Sequence, residues 1–86
     1  MLEVIWIASK SCHACLMFEA SWNEIRAQNV NVSFQKILVE DQPKIEDKYD
    51  IDGYPTFIFF KDGVECDIRV IGADEYEVKQ VIRNLS

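Results

Sequence analysis

Residues 3–8, with the sequence EVIWIA, form a short apolar run rich in β-branched and aromatic side chains. A run of this length and composition is typical of a strand that is buried on both faces. Strands of this kind belong to sheets that helices cover. The run therefore predicts an α/β fold, in which later parts of the chain supply the covering helices.

A helix is expected directly after this strand, from about Cys12 to Gln28, with Asn29 as its C-cap. Its apolar side chains recur at helical spacing and form one stripe: Cys15, Phe18, Trp22 and Ile25. Residues 30–39 then alternate as a strand, with Val30, Val32 and Phe34 on one side, and the same parity places Lys36 on that apolar side. A strand, a helix and a strand in this order predict a parallel pair.

The second half of the chain predicts a short surface helix, a hairpin and a closing helix. Residues 40–50 are polar, with Asp41 as a candidate N-cap. The hairpin consists of TFIFF, the turn KDG and a return strand over residues 64–70. Asp74 and Glu77 are spaced as a capping box before an amphipathic helix. With 86 residues and no internal linker, we expect one domain over residues 1–86, a mixed four-stranded sheet with helices on both faces.

The charge balance excludes some partners. Nine Lys and Arg face fifteen Asp and Glu, a formal net charge of −6, so nucleic acid and anionic lipid are repelled on average. The N-terminal residues lack a basic leader, and no apolar stretch approaches the roughly 20 residues that span a bilayer. We therefore expect a cytoplasmic protein, monomeric by default, that binds neither membranes nor nucleic acid.

Cys12 and Cys15 lie three residues apart at the predicted start of the first helix. This spacing puts both sulfurs on one helical face, within reach of a disulfide. Cys12 falls where free backbone N–H groups and the helix dipole stabilise a thiolate, whereas Cys15 lies one turn deeper in the apolar stripe. The pattern predicts Cys12 as the nucleophile that attacks a disulfide and Cys15 as the thiol that resolves the mixed disulfide.

His13 lies between the two cysteines. As a cation it would favour the Cys12 thiolate and make the disulfide more oxidising. The alternative is an exposed histidine without a role.

The CHAC motif at a strand-to-helix junction, followed by Pro55 in DGYPTFIFFKDG, resembles the thioredoxin family. The resemblance covers nearly the whole chain and implies a thioredoxin-like fold that lacks the N-terminal strand and helix of full thioredoxins. It places Cys12 and Cys15 on the family's nucleophilic and resolving cysteines. Pro55 falls on the family's cis-proline, and Tyr54 would then offer its backbone to an extended substrate strand.

The resemblance also covers Lys36, which matches a lysine beneath the active site of thioredoxins. A buried ammonium there would help Cys15 to ionise; the alternative is a lysine whose stem packs while its head reaches water. The chain departs from the family at Trp6, which occupies the position of the family's buried acid. Ser11 and His13-Ala14 likewise replace the usual Trp and Gly-Pro.

The implied function is a thiol-disulfide oxidoreductase that reduces protein disulfides. It needs no cofactor beyond the Cys12–Cys15 couple, and a flavin-dependent reductase or glutathione would return the electrons. A glutathione-linked, glutaredoxin-like enzyme is the alternative, with Lys10 and the GADE segment at 72–75 as glutathione contacts. Less favoured alternatives are a metal site, which would use Cys12, His13, Cys15 and Cys66, and a non-catalytic binding module. We expect Cys66 to be a buried free thiol that packs as a small hydrophobe.

Overall fold

The computed structural model describes residues 1–86, which fold around one four-stranded sheet. The elements in chain order are β1 (Leu2–Ala8), α1 (His13–Gln28), β2 (Ser33–Leu38), α2 (Ile45–Tyr49), β3 (Thr56–Lys61), β4 (Val64–Ile71) and α3 (Glu75–Leu85). The strand order is β2-β1-β3-β4, with β1 parallel to β2 and antiparallel to β3, and β3 antiparallel to β4. The predicted element order and the mixed sheet are both confirmed. No helix is long and apolar enough to cross a membrane.

The sheet is covered on both faces because side chains alternate along its buried central strand β1. Val4, Trp6 and Ala8 join a 14-residue cluster that includes the apolar stripes of α1 and α3. Ile5 and Ile7 face the other way and join a smaller cluster made only of isoleucines, to which α2 contributes one: Ile5, Ile7, Ile37, Ile45, Ile51 and Ile58. The expectation of helices on both faces is confirmed.

Trp6 lies at the centre of the larger cluster and is fully buried. Its ring centroid is 5.5 Å from that of Phe18, 5.1 Å from that of Trp22 and 5.8 Å from that of Phe57. Aromatic pairs at these separations contribute beyond the area that they bury. This cluster fixes α1 against β1 and β3, and so fixes the helix end that carries the two cysteines.

The second strand is shorter than predicted. It begins at Ser33, and Val30 is 84% exposed, so the prediction that Val30 lies on the core side is wrong. The backbone N–H of Val32 donates to the carbonyl of Asn29, the predicted C-cap, at 3.1 Å. The chain is therefore still turning out of α1 where the sequence alternation suggested a strand.

Two predicted caps have different outcomes. Asp41 does not cap α2, which follows Lys44 and has no side-chain cap. Asp74 does cap α3, because its carboxylate accepts from the backbone N–H of Glu77 at 3.0 Å. The backbone N–H of Asp74 donates instead to the carbonyl of Gly72, so only one half of the predicted capping box forms.

Two strand isoleucines of opposite exposure test this packing. Ile58 in β3 is fully buried, whereas Ile71 in β4 is 67% exposed. We expect Ile58→Ala to lower the free energy of unfolding by about 2–5 kcal/mol, because it removes buried methyl groups and leaves a cavity. Ile71→Ala should change it by less than about 0.5 kcal/mol. Urea denaturation followed by circular dichroism measures both, and equal losses would contradict the assigned register.

Candidate active site

The sequence-predicted site residues meet at one end of the sheet. Ala8 pairs with Leu38 where β1 and β2 both end, and Ile7 pairs with Thr56 where β3 begins. The loop before Cys12 and the loop that ends at Pro55 therefore leave the sheet at the same edge. The parallel and antiparallel pairings of β1 assemble this site from three segments that are distant in sequence.

Cys12 and Cys15 are joined as a disulfide, with Cα atoms 5.2 Å apart. Cys12 is the N-cap of α1, with extended backbone angles, and its Sγ accepts a hydrogen bond from the backbone N–H of Cys15 at 3.0 Å. The first turn of α1 contains no acidic side chain. The free N–H groups of the helix end therefore stabilise negative charge on Cys12 without competition from a carboxylate.

The two sulfurs differ in exposure, as the sequence predicted. Cys12 is half-buried, whereas Cys15 is only 4% exposed and belongs to the larger apolar cluster. A reaction partner can reach Cys12 more easily than Cys15. The geometry suits an outer nucleophile and an inner resolving thiol.

Pro55 follows a cis peptide bond after Tyr54, as predicted, and is fully buried. Its carbonyl accepts from the backbone N–H of Gly72 at 2.8 Å, which ties the loop before β3 to the end of β4. The hydroxyl of Tyr54 donates to Glu46 at 2.5 Å. Partial burial and then this carboxylate raise the pKa of Tyr54 to about 12, so the phenol stays neutral and holds the loop against α2.

An open cavity of about 420 Å³ lies on the β2 side of the disulfide. Both cysteines line it together with four titratable side chains: Lys10, His13, Glu19 and Lys36. Tyr54 and Pro55 do not line it. The loop that ends at Pro55 (the proline loop) and this cavity are therefore separate parts of the surface at this edge of the sheet.

Lys36 lies on the predicted face of the sheet, but it is not buried. It pairs with Trp6 across β1 and β2, and its Nζ lies 4.7 Å from the centroid of the Trp6 ring. Its Nζ also donates to Glu19 at 2.9 Å, and the residue is exposed. The buried-ammonium alternative is wrong, because β2 is the edge strand of the sheet and the long side chain reaches its margin.

Trp6 belongs to the same buried apolar cluster as Cys15. It is fully buried, and its indole Nε1 has no hydrogen-bond partner in the protein. An indole can only donate, so Trp6 cannot accept a proton from Cys15. His13, in contrast, is exposed at the first position of α1.

Glu40 is a residue of the site that the sequence analysis missed. Its carboxylate accepts from the Ser9 hydroxyl at 2.7 Å and from the Lys10 backbone N–H at 3.0 Å. The Ser9 hydroxyl hydrogen bond and then the Lys10 backbone bond lower the pKa of Glu40. Since β1 and β2 are parallel and end together, a polar residue just after β2 was a usable signal for a contact with the loop that precedes Cys12.

Glu19 was also missed. It lies four residues after Cys15 on α1, and one of its carboxylate oxygens binds Lys36 while the other is buried without a partner. The spacing from Cys15 was visible in the sequence, but the pairing with Lys36 depends on how α1 lies over β2.

Cys66 lies apart from the pair. It is a free cysteine in β4, half-buried rather than buried as predicted, and packs against the larger apolar cluster. The edge position of β4 leaves part of its side chain open. The structure assembles no group of three or more His, Cys, Asp or Glu side chains that could hold a metal ion.

Comparisons with known proteins agree with this geometry. The sequence profile of the thioredoxin family matches residues 2–84. Thioredoxin H-type 1 of Nicotiana tabacum is 31% identical over 81 residues, which cover 94% of this chain and 64% of the tobacco protein. Glutaredoxin-3 of Mus musculus is 36% identical over 73 residues, 84% of this chain but only 21% of the mouse protein. The chain thus spans less than two thirds of both relatives.

A solved structure, the X-ray structure of Fasciola hepatica thioredoxin, superposes with a TM-score of 0.93. The match has 28% sequence identity and covers 99% of this chain and 81% of that one.

The hydrogen bonds to Glu40 predict a pH-dependent contribution to stability. The pKa of Glu40 in the folded protein lies below that of an ordinary glutamate, which is about 4.3 in an unfolded chain. The hydrogen bonds therefore stabilise the folded protein above about pH 4.3, and this stabilisation is lost as the pH falls through the pKa of folded Glu40. We expect Glu40→Gln to lower the urea midpoint at pH 7 and to converge with the parent protein at pH 3. Asp67→Asn, at an exposed position on β4, is the control, and a parallel offset at every pH would contradict the assignment.

Proposed function

The chain belongs to the thioredoxin family, and on this premise we propose that it is a thiol-disulfide oxidoreductase that reduces disulfide bonds in proteins. The observation that carries the proposal is the Cys12–Cys15 disulfide at the N-terminus of α1. Its outer sulfur is held by a backbone N–H group and its inner sulfur is buried, which are the conditions that two successive exchange steps require.

The reaction begins with the reduced pair. The Cys12 thiolate attacks one sulfur of a substrate disulfide, a Cys12–substrate bond forms, and the substrate's other sulfur leaves with the electron pair of the broken bond. Cys15 then loses its proton and attacks the Sγ of Cys12. The Cys12–Cys15 disulfide forms and the second substrate sulfur leaves as a thiolate. Each of the two substrate thiolates takes up a proton from water, and two substrate thiols result.

Tyr54 and Pro55 are the proposed substrate-binding residues. Tyr54 lies just before β3, and neither its N–H nor its C=O forms a hydrogen bond with another backbone group of the chain. Both groups can therefore pair with an extended segment of a substrate protein. The hydrogen bond from the Gly72 N–H to the Pro55 carbonyl ties this backbone to the end of β4, at the edge of the sheet where the disulfide lies.

The partners are disulfide-containing proteins and an electron donor, for which we propose a flavin-dependent reductase or glutathione. The internal disulfide carries both electrons, so the exchange steps use no other cofactor. We further propose that the protein is a monomer in the cytoplasm. The reducing environment of that compartment would keep the Cys12–Cys15 couple available as a dithiol.

A glutathione-linked activity is the second candidate. It is supported by the similarity to Glutaredoxin-3 and by Lys10, a cation that lines the cavity beside the disulfide. A small anionic thiol would fit such a cavity more readily than a protein substrate would. Robust turnover of a small disulfide with glutathione and glutathione reductase, exceeding the rate on insulin, would rank this activity first.

Reduction of insulin disulfides by dithiothreitol tests the main proposal. We expect Cys12→Ser to reduce the rate by about 10³-fold or more, because no thiolate remains at the helix end. Cys15→Ser, first reduced, then separated from dithiothreitol and mixed with insulin, should accumulate a covalent adduct with the substrate through Cys12, visible on a non-reducing gel, because no second active-site thiol is present to resolve the mixed disulfide. Cys66→Ala is the matched control and should retain the parent rate within about twofold. Equal activity in all three variants would refute an exchange that uses this pair.

His13 provides a test of the redox potential. We expect His13→Ala to make the potential of the Cys12–Cys15 couple more negative by roughly 10–20 mV, since removal of a nearby cation destabilises the thiolate of the reduced form. Equilibration with glutathione redox buffers measures the change in potential, and an unchanged potential would assign His13 no part in the couple.

A further inference from the structure

The second exchange step needs a proton acceptor for Cys15. Cys15 is 4% exposed and packs within the apolar cluster, and burial of this kind disfavours the charged thiolate. Its own backbone N–H is directed to Cys12 Sγ. Trp6, in the strand below, offers only a donor. The proton therefore passes to water or to another side chain.

The cavity beside the disulfide limits the candidates. The titratable side chains that line it, apart from the cysteines, are Lys10, His13, Glu19 and Lys36. The two lysines carry ammonium groups, which donate hydrogen bonds but cannot accept a proton. His13 lies two residues before Cys15, and residues at that spacing do not share a helical face. Glu40 lies in the adjacent loop, but its carboxylate is occupied by Ser9 and Lys10.

Glu19 has the required position. It follows Cys15 by four residues, a spacing that places Cβ atoms about 5–6 Å apart on one helical face. Its Oε1 accepts from Lys36 at 2.9 Å, while Oε2 is buried and has no hydrogen-bond partner in the protein. The oxidised protein thus holds an inward acceptor without a donor, and reduction of the disulfide creates a donor, the Cys15 thiol, one turn away.

The carboxylate also has a route to solvent. The side chain of Glu19 is 46% exposed as a whole although Oε2 is covered. Lys36 holds the other oxygen and is itself positioned over the Trp6 ring. A proton taken up on the inner oxygen can therefore pass to water once the carboxyl group turns outward.

We propose that Glu19 is the proton acceptor for Cys15 and that Lys36 is the residue that positions it; the inference rests on the proposed function. In the second exchange step, the Cys15 S–H proton moves to Glu19 Oε2, and the Cys15 thiolate attacks Cys12 Sγ. The Cys12–Cys15 bond forms as the Cys12–substrate bond breaks, and its electron pair leaves on the substrate sulfur, which is protonated from solvent. In the reverse direction the protonated Glu19 returns the proton to Cys15.

The proposal and a purely electrostatic role of Glu19 predict opposite effects of Glu19→Gln on the rate of the second exchange step. A carboxylate near Cys15 repels the thiolate, so replacing it with a neutral amide would speed the second step if charge were all that mattered. A proton acceptor predicts the opposite, because the amide of glutamine cannot take the proton. The rate of the second step alone therefore distinguishes the two.

The experiment uses the full chain with Cys66→Ala, so that only the active-site pair reacts. The reduced protein is mixed with one equivalent of 5,5′-dithiobis(2-nitrobenzoate) in a stopped-flow instrument. Attack by Cys12 releases the first thionitrobenzoate, and attack by Cys15 on the resulting mixed disulfide releases the second. We expect Glu19→Gln to slow the second release by about 10²-fold at pH 7, the lower end of what a positioned proton acceptor contributes.

The first release should stay within twofold of the parent, which also shows that the variant is folded. In Glu19→Gln the second rate should rise about tenfold per pH unit between pH 6 and 8, since hydroxide must replace the carboxylate, whereas the parent profile should be flatter. Glu19→Asp should recover part of the rate. Glu24→Gln, on the same helix and paired with Lys79 instead, is the control and should match the parent.

An equal or faster second release in Glu19→Gln, with an unchanged pH profile, would overturn the role of Glu19 and leave the proposed function intact. A parent protein that never gives the second release would overturn the proposed function, and this inference with it.

Discussion

The pairing of β1 on both sides is the constraint on which the site depends. Because β1 is parallel to β2 and antiparallel to β3, the end of β1, the end of β2 and the start of β3 lie at one edge of the sheet. The cysteine pair, the Glu40 carboxylate and the proline loop each belong to one of these segments. The aromatic cluster around Trp6 then holds α1 over the sheet, so that the helix end stays at this edge.

The local chemistry of the pair follows from its place on the helix. A residue at the N-cap meets unpaired N–H groups, whereas a residue one turn inside meets the apolar stripe. Cys12 and Cys15 differ in exposure and in polar contacts for this reason alone. Exchange chemistry needs that difference, because one sulfur must reach the substrate and the other must wait until the mixed disulfide has formed.

Trp6 changes the surroundings of the inner sulfur. A tryptophan in the core strengthens packing between the sheet and α1, but it removes any acceptor from beneath Cys15. Lys36 lies over the indole ring and binds Glu19, and both residues line the cavity beside Cys15. These two polar side chains come from the edge strand and from the helix. The packing of the core and the route of the proton are thus linked at this position.

Sequence reasoning predicted the element order and the mixed sheet, because periodicity and motif spacing are local, and the resemblance to the thioredoxin family predicted the cis bond before Pro55. It failed where the outcome depends on neighbours distant in the chain. Val30 alternates like a strand residue, yet the turn after α1 leaves it exposed. Lys36 has the parity of a core residue, yet it lies on an edge strand.

The sequence by itself determined which residues carry the sulfur chemistry, since i, i+3 spacing at a helix start is a local property. Only the tertiary structure decided which charges surround the pair. The contacts of Glu19 with Lys36 and of Glu40 with Ser9 join residues 17 and 31 positions apart, and they exist because strand register and helix orientation bring those residues together.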